Sequence, residues 1–141
     1  MRTSARNALN GAVKDIVVGA VNDEVILGVG DGVEIVAIIT KTSVEHLGLK
    51  TGSPATALIK SSFVILAPET PGLRTSARNH FNGQITSLDN GAVSSEVVLD
   101  IGGGKSITAV ITRESVEDLG LAVGGRASAL VKASHVILVV D

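Results

Sequence analysis

Arg2 to Asn7 reads RTSARN, and Arg74 to Asn79 reads RTSARN again. Sliding the 141-residue sequence against itself at the offset of 72 that these two stretches set overlays 1–69 on 73–141 without a gap. About half of the aligned positions are identical, more than short polar and apolar patterns share by chance, so the chain is an internal duplication. Between the copies lies APETPG, whose Pro68, Pro71 and Gly72 disfavour regular structure and mark a boundary. The expected domains are residues 1–68 and 73–141.

Identity between the copies is clustered. GAV recurs at Gly19–Val21 and Gly91–Val93, and TKTSVEHLGL at Thr40–Leu49 answers TRESVEDLGL at Thr112–Leu121. IKSSFVIL at Ile59–Leu66 answers VKASHVIL at Val131–Leu138. Within one copy, 11–18 and 20–29 are rich in Val and Ile and read as strands, with GVGDG as a tight hairpin turn before a third strand over 33–40. In SVEHLGL, Val44 and Leu47 fall on one helical face, a hydroxyl residue precedes as a cap, and Gly48 reads as a helix stop. Residues 55–60 and 63–66 complete five strands with one short helix after the third, an order typical of small OB-like barrels. The expected fold class is all-β: two tandem OB-like five-stranded β-barrels, each with one short helix.

Composition fits such barrels. Apolar residues make up 45% but aromatics only 1%, so Val, Ile, Leu and Ala must fill the interior. A unit of this size without disulfides or large aromatics buries little surface alone, which predicts a homo-oligomer. Lys14, Asp15, Asp23 and Glu24 interrupt the early apolar stretches, so no run approaches the roughly 18 residues of a membrane span, and the leading segment does not read as a signal peptide. With no cysteine, the expected compartment is the cytoplasm. A net charge of -2, two Phe, no Tyr and no Trp argue against an OB-type nucleic-acid module, which needs a basic groove and stacking aromatics.

The enzyme-like features fail on inspection. GGGKS at Gly102–Ser106 lacks the first glycine of a phosphate loop, which would have to stand at Leu99, and a strand is expected to follow instead of a helix. His46, His80 and His135 face Asp118, Ala8 and Phe63 in the other copy, so no histidine site recurs, and no metal-ligand spacing is present. A glycine-flanked nucleophilic serine is absent as well. The expectation is a protein without catalytic groups, resident cofactor or metal cation.

What recurs is a set of hydrogen-bond donors without carboxylates. Ser4, Ala5, Arg6 and Asn7 answer Ser76, Ala77, Arg78 and Asn79; Lys60, Ser61 and Ser62 answer Lys132, Ala133 and Ser134; Thr40 and Ser43 answer Thr112 and Ser115. A fully deprotonated tetrahedral oxyanion only accepts hydrogen bonds, so hydroxyls, amide N–H groups and one or two cations suit it. Protonated phosphate would present an unpaired O–H at a cost of about 1 to 3 kcal/mol, which favours molybdate, tungstate or sulfate. The residues alone also fit a plainer reading, an irregular first strand with a solvated Arg6 and a polar strand end.

SARN, GAV followed by Asn22 or Ser94, T-x-x-S-x-x-x-L-G-L and K-[SA]-S-x-V-I-L together, in both halves, resemble the molybdenum-pterin binding family, the molbindins, and their tandem two-domain members in particular. The resemblance implies OB-like barrels that trimerise, binding molybdate or tungstate for storage and buffering in molybdenum homeostasis. It implies an interface site for each copy. The first would use Ser4, Ala5, Arg6 and Asn7 with Lys60, Ser61 and Ser62, helped by Thr40 and Ser43. The second would use Ser76, Ala77, Arg78 and Asn79 with Lys132, Ala133 and Ser134, helped by Thr112 and Ser115. Ala5 and Ala77 would act through their N–H groups, and Ala133 in place of Ser61 would cost the second site one hydroxyl. A further site on the threefold axis would use Gly19, Ala20, Val21 and Asn22, and Gly91, Ala92, Val93 and Ser94. No DNA-binding or nucleotide-binding segment accompanies these modules in the sequence. The alternative to storage is a module that senses the oxyanion and signals to a partner protein.

Overall fold

The structure is a computed structural model that describes residues 2–141; Met1, the first residue of the expected first domain, lies outside them. Each copy folds into the same series. In the first, β1 (Asn7–Val17), β2 (Asn22–Gly30) and β3 (Val33–Thr40) form an antiparallel meander, followed by helix α1 (Lys41–Leu47), strand β4 (Pro54–Ile59), a 3-10 turn (Ser61–Phe63) and β5 (Ile65–Pro68). The second copy repeats this as β6 (Asn79–Asn90), β7 (Ser94–Gly102), β8 (Lys105–Thr112), α2 (Arg113–Leu119), β9 (Arg126–Val131), a 3-10 turn (Ala133–His135) and β10 (Ile137–Val139). Several local expectations shift. The first strand begins at Asn7 instead of Gly11, Val18, Ala20 and Val21 lie between β1 and β2 instead of in a strand, the fourth strand ends at Ile59 before Lys60, and Phe63 belongs to the 3-10 turn.

Alternation explains the strands. In β2, Asp23, Val25, Leu27 and Val29 are buried and the residues between them are not, which puts one face on the core. Gly11 lies where β1 meets β2 so closely that a Cβ would stand 2.2 Å from the Gly28 carbonyl oxygen, and at Gly83 the distance to that of Asp100 is 2.1 Å. The hairpin between β2 and β3 turns through Gly30, Asp31 and Gly32, all with positive φ, and the one between β7 and β8 through Gly102, Gly103 and Gly104. The GGGKS stretch is therefore a hairpin turn leading into strand β8.

Each short helix is closed at both ends. Thr40 Oγ1 accepts the Ser43 N–H at 3.1 Å, and Gly48 at φ 64° lets its own N–H reach Glu45 O while the Leu49 N–H reaches Val44 O, both at 3.1 Å. Val44 and Leu49 are both buried beside this stop, the pairing such a left-handed cap favours.

The sheets are ordered β10-β4-β1-β2-β3 and β5-β9-β6-β7-β8. In each, the two edge strands also approach one another, β10 to β3 and β5 to β8, which curls the sheet towards a barrel. The compact units cut across the boundaries 1–68 and 73–141: one comprises the chain up to Ile59 with Ala133–Asp141, the other Lys60–Lys132. The cause is an exchange of last strands. Ile65–Pro68 pairs with β9, and Ile137–Val139 pairs with β4. The cores are aliphatic: Val13, Val25, Leu27, Ile35 and Ile59 in one unit, and Ile85, Val97, Leu99, Ile107 and Val131 in the other, each at most 2% exposed. At about 1.5 to 3 kcal/mol per fully buried side chain, these carry most of the stabilisation.

Candidate functional site

Registration of the first strand of each copy against the fourth positions the donor segments. Asn7 faces Ile59 across β1 and β4, and Asn79 faces Val131 across β6 and β9. Asn7 is 3% exposed and its Nδ2 donates to the Ile59 carbonyl at 3.2 Å, so its amide secures the strand end; Asn79 is buried likewise, at 2%. In the second unit the register brings Ser76–Arg78, leading into β6, and Lys132, leaving β9, to the same end of one strand pair. In the first, the chain before β1 starts beside the end of β4, after which comes Lys60.

Ser4, Arg6, Ser76 and Arg78 have exposed side chains, as do Lys60, Ser62, Lys132 and Ser134. Two expected donors are otherwise engaged. The N–H groups of Ala5 and Ala77 donate to Thr3 Oγ1 and Thr75 Oγ1, each at 3.1 Å, because a hydroxyl two residues back closes the local turn. Ala133 is buried at 2% exposure, whereas its counterpart Ser61 is half-buried.

The lysine segments divide between the units. After Lys60, the turn Ser61–Phe63 packs against β8, the strand that ends at Thr112; the turn Ala133–His135 packs against β3, which ends at Thr40. Lys60 Nζ lies 5.5 Å from the centroid of the Phe63 ring, within range of a cation–π contact that steadies the chain's long, flexible side chain. The T-x-x-S hydroxyls are largely spent locally. Thr40 Oγ1 donates to Ser43 Oγ at 2.8 Å while accepting the Ser43 N–H, and Thr112 and Ser115 do the same at 2.7 Å.

The two GAV turns are tight, since a Cβ would stand 2.2 Å from Asn22 O at Gly19 and 2.6 Å from Ser94 O at Gly91. Their first N–H groups are committed too: Gly19 donates to Asp23 Oδ1 at 3.1 Å, and Gly91 to Ser94 O at 2.9 Å. Val21 and Val93 stand out into solvent, 72% and 75% exposed. Sequence reading missed the groups beneath these turns, buried Asp23 and its counterpart Ser95. The signal was available in the alternation of β2, which assigns position 23 to the same face as Val25 and Leu27.

Among the described residues no cluster of His, Asp and Glu could hold a metal ion, and no helix is long and apolar enough to cross a membrane. A depression of about 450 Å³ in the first unit is lined by Asn10, Ser53, Thr56 and Asp141 among others, away from the donor segments. The two resolved titration shifts belong to one peripheral pair. The hydrogen bond from Arg126, helped by its charge and opposed by burial, holds the Glu69 carboxyl below its ordinary value of 4.5, and the same hydrogen bond raises the pKa of Arg126.

The segments before the first strand of each copy and after the fourth offer repeated cations and hydroxyls, with no carboxylate in RTSARN, KSS or KAS. The TOBE domain family matches residues 3–66 and again 75–138. The chain belongs to the TOBE domain family. Among TOBE relatives, it is 49% identical over 138 residues to the molybdenum-pterin-binding protein MopA of Rhodobacter capsulatus, covering 98% of this chain and 52% of MopA. It is 44% identical over 141 residues to the molybdenum transport protein ModE of Herbaspirillum seropedicae, covering 100% of this chain and 52% of ModE. The chain thus spans about half the length of these relatives. Among solved structures it resembles the cytoplasmic molybdate-binding protein ModG, crystallised with molybdate bound, with a TM-score of 0.95 and 42% identity over 100% of both chains. The tandem OB-like fold is common to the two.

Proposed function

We propose that this TOBE protein binds molybdate or tungstate reversibly in the cytoplasm, storing and buffering the oxyanion without making or breaking bonds. The observation that carries the reading is the full-length likeness to a molybdate-binding protein solved with its anion, at 42% identity. The site chemistry supports it. Ser4, Arg6, Lys60 and Ser62, with Ser76, Arg78, Lys132 and Ser134, are exposed donors that suit an acceptor-only ligand. Asn7 and Asn79 shape the loops, as do the Thr40–Ser43 and Thr112–Ser115 pairs. The sites are completed by other copies of the chain in a homo-oligomer, which we take to be a trimer. Exposed Val17, Val18, Val21, Val93, Ile65 and Ile137 supply apolar surface for such contacts.

Calorimetric titration of the protein with molybdate, sulfate and phosphate tests this. Heat with molybdate that exceeds the response to phosphate is expected, and no heat with molybdate would end the proposal. The likeness to ModE, twice as long as this chain, favours a second reading in which the same module senses the oxyanion for a partner. Pull-down with and without molybdate separates the two: a partner captured only in one condition supports sensing.

A further inference from the structure

The turns Gly19–Asn22 and Gly91–Ser94 share a backbone form and differ in the charge that touches them. Under the first lies Asp23, 3% exposed, whose Oδ1 accepts the Gly19 N–H at 3.1 Å. The cation beside it, Lys41, keeps its Nζ 3.9 Å from that oxygen and is itself 41% exposed. Under the second turn the same place holds Ser95, 2% exposed and neutral, whose hydroxyl donates to Asn90 Oδ1 at 2.6 Å. The charged group against this turn is Arg113, with Nη1 3.4 Å from the Gly91 carbonyl oxygen and Nε 3.7 Å from Glu117. A depression of about 350 Å³ adjoins it, lined by Ala92, Val93, Thr112, Arg113, Glu114 and Glu117. A carboxylate therefore contacts one turn and a guanidinium the other. Access does not distinguish them, since Val21 and Val93 are equally exposed.

We infer that Asp23 bars oxyanions from the first turn and that anion binding at the turns is confined to the second. The inference rests on the molybdate-binding reading above. A dianion brought to Gly19–Asn22 would meet a negative charge shielded from water, and repulsion between buried charges is screened little. The acidic groups near the second turn act differently. Glu117 is 70% exposed and paired with Arg113, and its counterpart Glu45 stands at the same place on α1, so that charge cancels from the comparison. Glu114, at the depression's rim, is exposed to water that screens it.

The test is calorimetric titration of the full chain with sodium molybdate, comparing wild type, Asp23→Asn and Ser95→Asp. Asp23→Asn keeps an Oδ1 to accept the Gly19 N–H while removing the charge, and a melting curve checks that the fold is kept. The expected result is a higher number of molybdate ions bound per chain in Asp23→Asn, or its weakest class of sites tightened at least tenfold. Ser95→Asp, if it folds, should lose sites that wild type has. Unchanged stoichiometry and affinities in a folded Asp23→Asn, with wild type binding molybdate, overturn the inference alone. No molybdate binding by either wild type or Asp23→Asn overturns the underlying reading and the inference with it.

Discussion

In the first unit, β1 ends in Val17 and the chain continues through Val18, 53% and 67% exposed; in the second, β6 runs on through the equivalent Asp89 and Asn90. Elsewhere the two copies keep the same cap, the same hairpin and the same close approach of the first two strands. The contrast teaches that the duplication holds fixed whatever the fold needs and lets the rim of each unit diverge. Shared features should therefore fail alike when mutated, and the rims should fail separately.

The severest expected effect falls on a shared feature. Gly11→Ala and Gly83→Ala each put a Cβ within about 2 Å of a facing carbonyl oxygen, so the strands must part. Each should cost about 3 kcal/mol or more, measured by denaturant unfolding. A variant that unfolds only one unit easily while its counterpart is tolerated would break the equivalence of the two frames.

Next come the lysines. Lys60→Ala and Lys132→Ala each remove a charged donor worth about 1.5 to 3 kcal/mol, so molybdate affinity at the corresponding sites should fall tenfold or more while sedimentation shows unchanged assembly. Dissociation into single chains with affinity intact would assign these lysines to assembly instead. The rim contrast itself is tested by Val17→Asp with Val18→Asn, which copies the second unit onto the first. Half or more of each valine is exposed and available to a neighbouring chain, so roughly 1 kcal/mol of association is expected to go per position. Sedimentation equilibrium reads it, and unchanged association would show that this rim stays in water.

Most of the frame was legible in the sequence because it rests on local rules. Thr40 and Gly48 bracket the helix, three positive-φ residues mark each hairpin, and β3 has the bounds its Val and Ile content gave it. The exchange of last strands was not legible. FVIL and HVIL carry the same apolar Val-Ile-Leu, so nothing in Ile65–Pro68 or Ile137–Val139 tells either strand which fourth strand to join. The candidate site was legible as residue types and only partly as roles. Arg6, Lys60 and Ser62 are exposed, whereas Asn7 is buried against Ile59, the Ala5 N–H is taken by Thr3 and Ala133 is buried, none of which a list of polar residues shows.

The smallest effect belongs to an ion pair that exists in one unit. Arg126 Nε lies 2.5 Å from Glu69 Oε2, joining the start of β9 to the segment that follows β5, while the equivalent positions in the first unit are Pro54 and Asp141. The hydrogen bond from Arg126, and then its charge, lowers the Glu69 pKa from 4.5 in the folded state. A carboxyl depressed by folding stabilises fully above its unfolded value and loses that contribution as pH falls through the lower folded value. Both groups are exposed, so the contribution is modest and salt-sensitive. Arg126→Ala should therefore melt slightly below wild type at pH 7 and low ionic strength, and the gap should close as the pH drops well under 4.5. A gap that persists unchanged in acid would mean that Arg126 acts by packing its stem against β6 and β9, and the second unit's rim would then differ from the first in shape instead of charge.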